Sequence, residues 1–184
     1  LSPLAYIRTN IEGTYNVLEA SKNLDIEQII TTSTSETYGS AQYEPIDENH
    51  PTVGQSPYSA SKIAADQLAT SYYLSFNTPV KIIRPFNTFG PRQSTRAIIP
   101  TIITQLLDNK KNIYLGNINT KRDFTYVDDT CLAYLKILNS DNIFGKTINV
   151  GMNKSISIKE LFNFISEKLN IESKIILDDL RVRN

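Results

Sequence analysis

Apolar residues recur at helical spacing from Pro3 to about Lys22, with Leu4, Ile7, Ile11, Val17 and Leu18 on the pattern and Gly13 inside it. The spacing predicts one helix over 3–22. Ile29-Ile30-Thr31-Thr32 is a short apolar, β-branched run of the kind that suits a buried strand in a parallel sheet. Residues 40–57 are rich in Pro, Asp, Asn and Ser and read as a loop. Ser56-Pro57 then supplies an N-cap and a proline at the first helical position, so a long helix is expected from Tyr58 to about Phe76. Val80-Lys81-Ile82-Ile83-Arg84-Pro85 follows as a second strand. This alternation predicts an α/β fold, a parallel sheet covered by helices.

The second half is more varied. Helices are expected from Ile98 to Leu107 and from Asp128 to Asn139, the latter with an Asp-rich first turn. Short strands are expected at 112–115, 124–127, 147–150 and 175–177. Ser157 with Glu160 three residues on forms a capping box for a helix running to about Leu169. The expected division is 1–90 and 91–184, with 128–150 packing back on the first part.

Lysine plus arginine equals aspartate plus glutamate at 19 each in 184 residues, so no basic surface for nucleic acid or an anionic membrane is expected, and any anion site must be local. Cys131 is the only cysteine, which excludes an internal disulfide and a thiolate metal site; its apolar helical run makes it a buried small residue. The single histidine, His50, lies beside Pro51 in the polar loop, and no metal site is expected. The apolar runs are too short to span a membrane and no signal peptide is visible, giving a cytoplasmic setting. The chain opens on Leu1, and its seven glycines never form Gly-x-Gly-x-x-Gly. It therefore reads as an internal piece of a longer protein, with the first strands of the sheet missing and no activity of its own.

Among the 10 tyrosines only Tyr58 has a lysine four residues on, Lys62. Spacing of i and i+4 puts both on one helix face. An ammonium there, and the positive end of the helix dipole, would lower a phenol pKa from its usual value of about 10. Such a tyrosine can take the proton of a sugar hydroxyl as it is oxidised to a ketone. Ser33-Thr34-Ser35-Glu36 sits where the first strand ends, the place at which open α/β sheets bind ligands. The plain alternatives are a solvated Tyr-Lys face and an ordinary turn.

Thr9-Asn10-Ile11-Glu12-Gly13-Thr14, the Ser33 to Gly39 turn, Tyr58 with Lys62, Arg84-Pro85-Phe86-Asn87 through Arg92-Gln93, and Arg122-Asp123-Phe124-Thr125-Tyr126-Val127-Asp128 occur in one order. With them the chain resembles the extended short-chain dehydrogenase/reductases that modify nucleotide sugars. Glu36 narrows the resemblance to the 4,6-dehydratases, since the epimerases usually lack an acid in that turn. The string from Glu36 through Asp47-Glu48-Asn49-His50-Pro51 to Tyr58 is similar to the 4,6-dehydratases of bacterial legionaminic acid synthesis.

The resemblance implies a Rossmann-like sheet with helices on both faces, a smaller C-terminal substrate-binding part, NAD as cofactor and nucleotide-linked N-acetylglucosamine as substrate. It implies Tyr58 as base toward the C4 hydroxyl, Lys62 as its support, Thr34 on the C4 oxygen, Glu36 as base toward C5 and Ser35 beside it. Ser33, Tyr58, Lys62 and Pro85 would meet the cofactor. Asn87, Ile98, Ile99, Arg122 and Arg183 would meet the substrate, with Arg122 on the diphosphate; Asn10 would tie its helix to the central strand. A homodimer is implied through a four-helix bundle built from 3–22 and 58–76, with Ile11, Leu18, Leu68, Tyr72 and Phe76 as a facing stripe or as cover for the sheet. A UDP-glucuronate decarboxylase, a sugar 4-epimerase and an inactive binding or structural fragment stay open.

Overall fold

The computed structural model describes residues 2–108, 111–178 and 180. Helix α1 (Pro3–Tyr6) passes through six residues wound as a π-helix, Ile7–Glu12, into α2 (Gly13–Lys22). Strand β1 (Ile29–Thr32) and a 3₁₀ turn, Ser35–Tyr38, precede α3 (Pro57–Phe76), β2 (Val80–Pro85) and β3 (Asn87–Phe89). Then come α4 (Ile98–Leu107), β4 (Asn112–Leu115), β5 (Lys121–Tyr126) and α5 (Val127–Leu138). The last elements are β6 (Thr147–Val150), β7 (Ser155–Ser157), α6 (Ile158–Leu169) and β8 (Lys174–Leu177). These form two compact units, Leu1–Thr88 with Val127–Gly151, and Phe89–Tyr126 with Met152–Asn184. Among the described residues no helix is long and apolar enough to cross a membrane.

The first unit is an α/β Rossmann-like layer. Its sheet has the order β1-β2-β6, with both pairings parallel. Alternation along β2 sends successive side chains to opposite faces. Val80 and Ile82 pack with Leu18, Ala69 and Tyr72, which come from α2 and α3. Lys81 points the other way and is fully buried. Its Nζ donates to Gln28 Oε1 at 2.8 Å and to the Ile137 carbonyl at 2.9 Å, and lies 4.5 Å from the Phe144 ring centre. A buried ammonium is tolerated when its protons find acceptors; here they are the side-chain oxygen of Gln28 and the Ile137 and Leu138 carbonyls at the end of α5. Helices thus cover both faces.

The second unit is held by apolar packing. Ile102 and Leu106 of α4, Ile113 and Leu115 of β4, and Ile158, Leu161, Phe162 and Ile165 of α6 form its core. Fully burying one such side chain contributes roughly 1.5–3 kcal/mol. Strands β4 and β8 pair in parallel, β5 and β7 antiparallel. Ser157 caps α6, its hydroxyl accepting from the Glu160 amide at 3.1 Å while Glu160 accepts from the Ser157 amide at 2.7 Å.

Several expectations need correction. The helix over 3–22 carries a π segment, and its Asn10 donates at 2.9 Å to Ser61 Oγ on α3 and not to the sheet. Cys131 is exposed, because α5 turns its Cys131, Leu132, Leu135 and Leu138 side outward. Of the proposed dimer stripe, Leu18 and Tyr72 are buried against the sheet, and only Phe76 is strongly exposed.

Candidate active site

Strand β1 stops at Thr32, and the Ser33 amide still donates to the Ile83 carbonyl at 2.7 Å. The backbone then leaves the sheet. Thr34 caps the 3₁₀ turn, its hydroxyl accepting from the Glu36 amide at 3.2 Å, while the Thr37 hydroxyl donates to the Thr34 carbonyl at 2.8 Å. Thr37 and Tyr38 are fully buried, so the turn hangs from them and leaves Glu36 exposed, with Thr34 and Ser35 half-buried. Gly39 closes it at φ 67°, where a side chain would be strained and a Cβ would meet the Val53 carbonyl at 2.9 Å.

Helix α3 begins opposite this turn. Ser56 and Ser59 form a reciprocal capping box and Pro57 takes the first helical position, which fixes Tyr58 in the first turn. The half-buried Tyr58 ring meets Tyr6 edge-on at 5.5 Å. Burial, then the Glu36 carboxylate, hold the Tyr58 phenol above its usual pKa, while a hydrogen bond with the Thr34 side chain works to lower it. The expected lowering by Lys62 does not operate in this arrangement. The Lys62 ammonium donates instead to the Thr32 carbonyl at the end of β1. Burial lowers the Lys62 pKa and the Asp66 carboxylate opposes that.

A buried polar cluster lies behind the turn. Asp66 Oδ2 accepts from Ser33 Oγ at 2.8 Å, from Arg84 Nε at 3.0 Å and from Arg84 Nη2 at 2.9 Å. The Arg84 guanidinium also lies 4.8 Å from the Tyr38 ring centre, and the Tyr38 hydroxyl donates to Asn149 Oδ1 at 2.7 Å. Asp66 stands in none of the sequence motifs, and Arg84 only as the start of Arg84-Pro85-Phe86-Asn87. The available signal was a charge at 84 inside a run otherwise apolar except for Lys81, since a buried charge requires a partner.

The structure therefore brings Ser33, Thr34, Ser35, Glu36, Tyr58 and Lys62 into one region of the first unit. Pro85 ends β2 opposite Val150, and Asn87 opens β3. A cavity of about 410 Å³ runs beside β1, lined by Thr9, Asn10, Gly13, Thr14, Thr32 and Lys62 among others. In the second unit Ile98 and Ile99 begin α4 and pack against the apolar core, while Arg122 is exposed on β5 opposite Ile156 of β7. Its neighbour Asp123 accepts from the Met152 amide at 3.0 Å and the Lys154 amide at 3.3 Å, holding the loop before β7. Arg183 lies outside the described residues.

The family model described as GDP-mannose 4,6 dehydratase matches residues 1–181. A dTDP-D-glucose 4,6-dehydratase from Dictyostelium discoideum is 39% identical over 165 residues, covering 84% of this chain and 38% of that protein. A UDP-glucuronic acid 4-epimerase from Bacillus cereus, solved with UDP-glucuronic acid and NAD, superposes with a TM-score of 0.87 at 29% identity, over 93% of this chain and 55% of its own. A UDP-N-acetylglucosamine 4-epimerase from Methanobrevibacter ruminantium, solved with UDP-N-acetylmuramic acid, also gives 0.87, at 33% identity over 96% and 58%. The chain spans about two to three fifths of the length of these relatives.

Proposed function

The chain belongs to the GDP-mannose 4,6 dehydratase family, and from that membership we propose that it carries the proton-transfer groups of an NAD-dependent nucleotide-sugar 4,6-dehydratase acting on nucleotide-linked N-acetylglucosamine. The observation that carries this reading is the pairing of two proton acceptors in one place: the 3₁₀ turn that bears Glu36 packs against α3, which bears Tyr58, and the Glu36 carboxylate helps to raise the Tyr58 phenol while the Thr34 side chain hydrogen-bonds to it. A 4-epimerase needs only one of them.

In this reading Tyr58 takes the C4 hydroxyl proton and Thr34 holds the C4 oxygen. The resulting C4 ketone acidifies the C5 proton, which Glu36 removes, and water departs from C6. Glu36 then gives its proton to the departing C6 hydroxyl, with Ser35 positioning the carboxyl group. Residues around the cavity beside Lys62 suit a nicotinamide ribose, because Gly13 and the threonine hydroxyls leave both room and polar partners. Ser33, Tyr58, Lys62 and Pro85 would hold that end of the cofactor. Bound NAD would supply the hydride acceptor and a fixed positive charge, which the raised phenol of Tyr58 requires. Asn87, Ile98, Ile99 and Arg122 are assigned to the substrate, with Arg122 on the diphosphate; the Arg183 assignment rests on the sequence alone. The N-acetylglucosamine assignment draws support from the Methanobrevibacter relative.

The test is the product formed by the whole protein from UDP-N-acetylglucosamine and NAD in deuterated water. A dehydratase releases a sugar nucleotide lighter by one water and deuterated at C5. A product of unchanged mass would overturn the dehydratase reading in favour of a 4-epimerase, the activity named for both structural relatives. Loss of carbon dioxide from UDP-glucuronate would instead point to a decarboxylase. We also assign the whole protein to a homodimer, supported by the exposed Leu4, Ile7, Leu74 and Phe76 on the helices at 3–22 and α3. A monomer in sedimentation at micromolar concentration would refute it.

A further inference from the structure

Asp66 lies one helical turn beyond Lys62 and two beyond Tyr58, on the same stretch of α3. Its carboxylate is buried at 3% exposure and reaches two other elements, Ser33 at the end of β1 and Arg84 in β2. Three donors meet at one of its oxygens. Ser33 is directly followed by Thr34, Ser35 and Glu36, so this carboxylate links the turn that bears the acid to the helix that bears the phenol and the ammonium. No other buried ion pair occurs among the described residues.

We propose that Asp66 is a positioning residue for the Tyr58–Lys62 pair: it fixes α3 against the Ser33–Glu36 turn and places its carboxylate one helical turn beyond Lys62. The inference rests on the reading of Tyr58 and Lys62 as the reacting pair. This role is separable from simple packing. A pair that only filled space would be replaced by apolar groups at little cost. Here the carboxylate also acts on Lys62, supporting its charge against burial. The charged and titratable groups facing Asp66 and Lys62 are Arg84 from β2, Tyr38 behind Arg84 from the 3₁₀ turn, Tyr58 from α3, and Glu36, which acts on Tyr58. Of these only Asp66 supports the Lys62 charge directly.

The experiment labels the lysine Cε carbons of the whole protein with carbon-13, identifies Lys62 by loss of its signal in Lys62→Arg, and follows its titration by NMR. Asp66→Asn should move the Lys62 titration to lower pH. The alkaline limb of kcat for UDP-N-acetylglucosamine with NAD should move the same way, and kcat should fall about 10- to 100-fold with KM little changed. Asp66→Asn leaves Arg84 buried without a counter-charge and can fail to fold, so Asp66→Asn/Arg84→Met is measured beside it. The double variant should regain thermal stability yet keep the lowered Lys62 titration. A Lys62 titration unmoved in either folded variant would overturn the proposal. Tyr58→Phe serves as the separate control: if it turns over normally, the reading of the reacting pair fails first, whatever Asp66 does.

Discussion

The two units bury different kinds of atom. In the first, the interior holds Ser33, Thr37, Ser59, Ser61, Asp66, Lys81 and Arg84 alongside its aliphatic residues, and His50 is buried in its loop. In the second, the core is isoleucine, leucine and phenylalanine, and Gln105 and Thr125 are the buried polar residues among those described. Even Gln105 serves packing: its amide accepts from the Tyr114 backbone at 2.9 Å and donates to the Tyr114 carbonyl at 3.2 Å, pairing with β4 as another strand would. Hydrophobic burial stabilises without specifying direction, whereas hydrogen-bonded groups hold atoms at set distances. The unit that carries Tyr58 and Glu36 has the second kind of interior, and the other unit has the first.

The sharpest way to break this division is at the proposed reacting groups. Tyr58→Phe should lower turnover about 10²–10⁴-fold, and Glu36→Gln should abolish deuterium entry at C5. Normal dehydration by Glu36→Gln would remove this carboxylate from the chemistry. Next in size is Arg84→Met, which strands a buried carboxylate and should cost about 3–5 kcal/mol in urea unfolding. Leu106→Ala in the other core should cost roughly 2–5 kcal/mol while leaving the Lys62 titration where it was. A shift of that titration in Leu106→Ala would show that the two interiors are not separable. Ser157→Ala removes one half of the α6 capping box and should cost about 1 kcal/mol.

The smallest effect is one of pH. The Tyr72 hydroxyl donates to Glu19 at 2.6 Å, which raises the phenol to about 12. The folded state thus holds this proton more tightly than the unfolded chain. Its contribution is whole below about pH 10, the ordinary phenol value, and is lost as the pH rises through about 12. Urea midpoints measured across that interval should fall less steeply in Tyr72→Phe. An unchanged slope would remove Tyr72 from the alkaline instability.

What the sequence disclosed follows the same division. Apolar periodicity placed α4 at 98–107, β4 at 112–115 and β6 at 147–150 with the bounds observed, and the Ser157–Glu160 pattern located the start of α6. Strands β3 and β7 went unread because three residues are too few to show a period. The π segment leaves no mark in the side-chain pattern. His50 is 2% exposed, yet a histidine beside proline in a polar loop carries no sign of burial: its ring is held by Tyr38 and Tyr43, with Nε2 accepting from the Gln42 amide at 2.9 Å. At the site, Tyr58 and Glu36 were legible as types and spacings. Asp66 and Arg84 meet only once α3 and β2 are laid side by side, and the direction in which Lys62 reaches is a tertiary fact.

The buried ammonium of Lys81 has a bearing on how the chain leaves the ribosome. Its acceptor on Ile137 lies 56 positions later, so β2 cannot be internally satisfied until α5 has been made. At about 5–20 residues per second that interval lasts roughly several seconds. Throughout it the Lys81 ammonium on one face of the central strand has Gln28 as an acceptor but lacks its two carbonyls on α5. That charge keeps the half-built sheet in contact with water and discourages it from pairing with a neighbouring chain. The strand becomes a closed interior only when the stretch that completes it arrives.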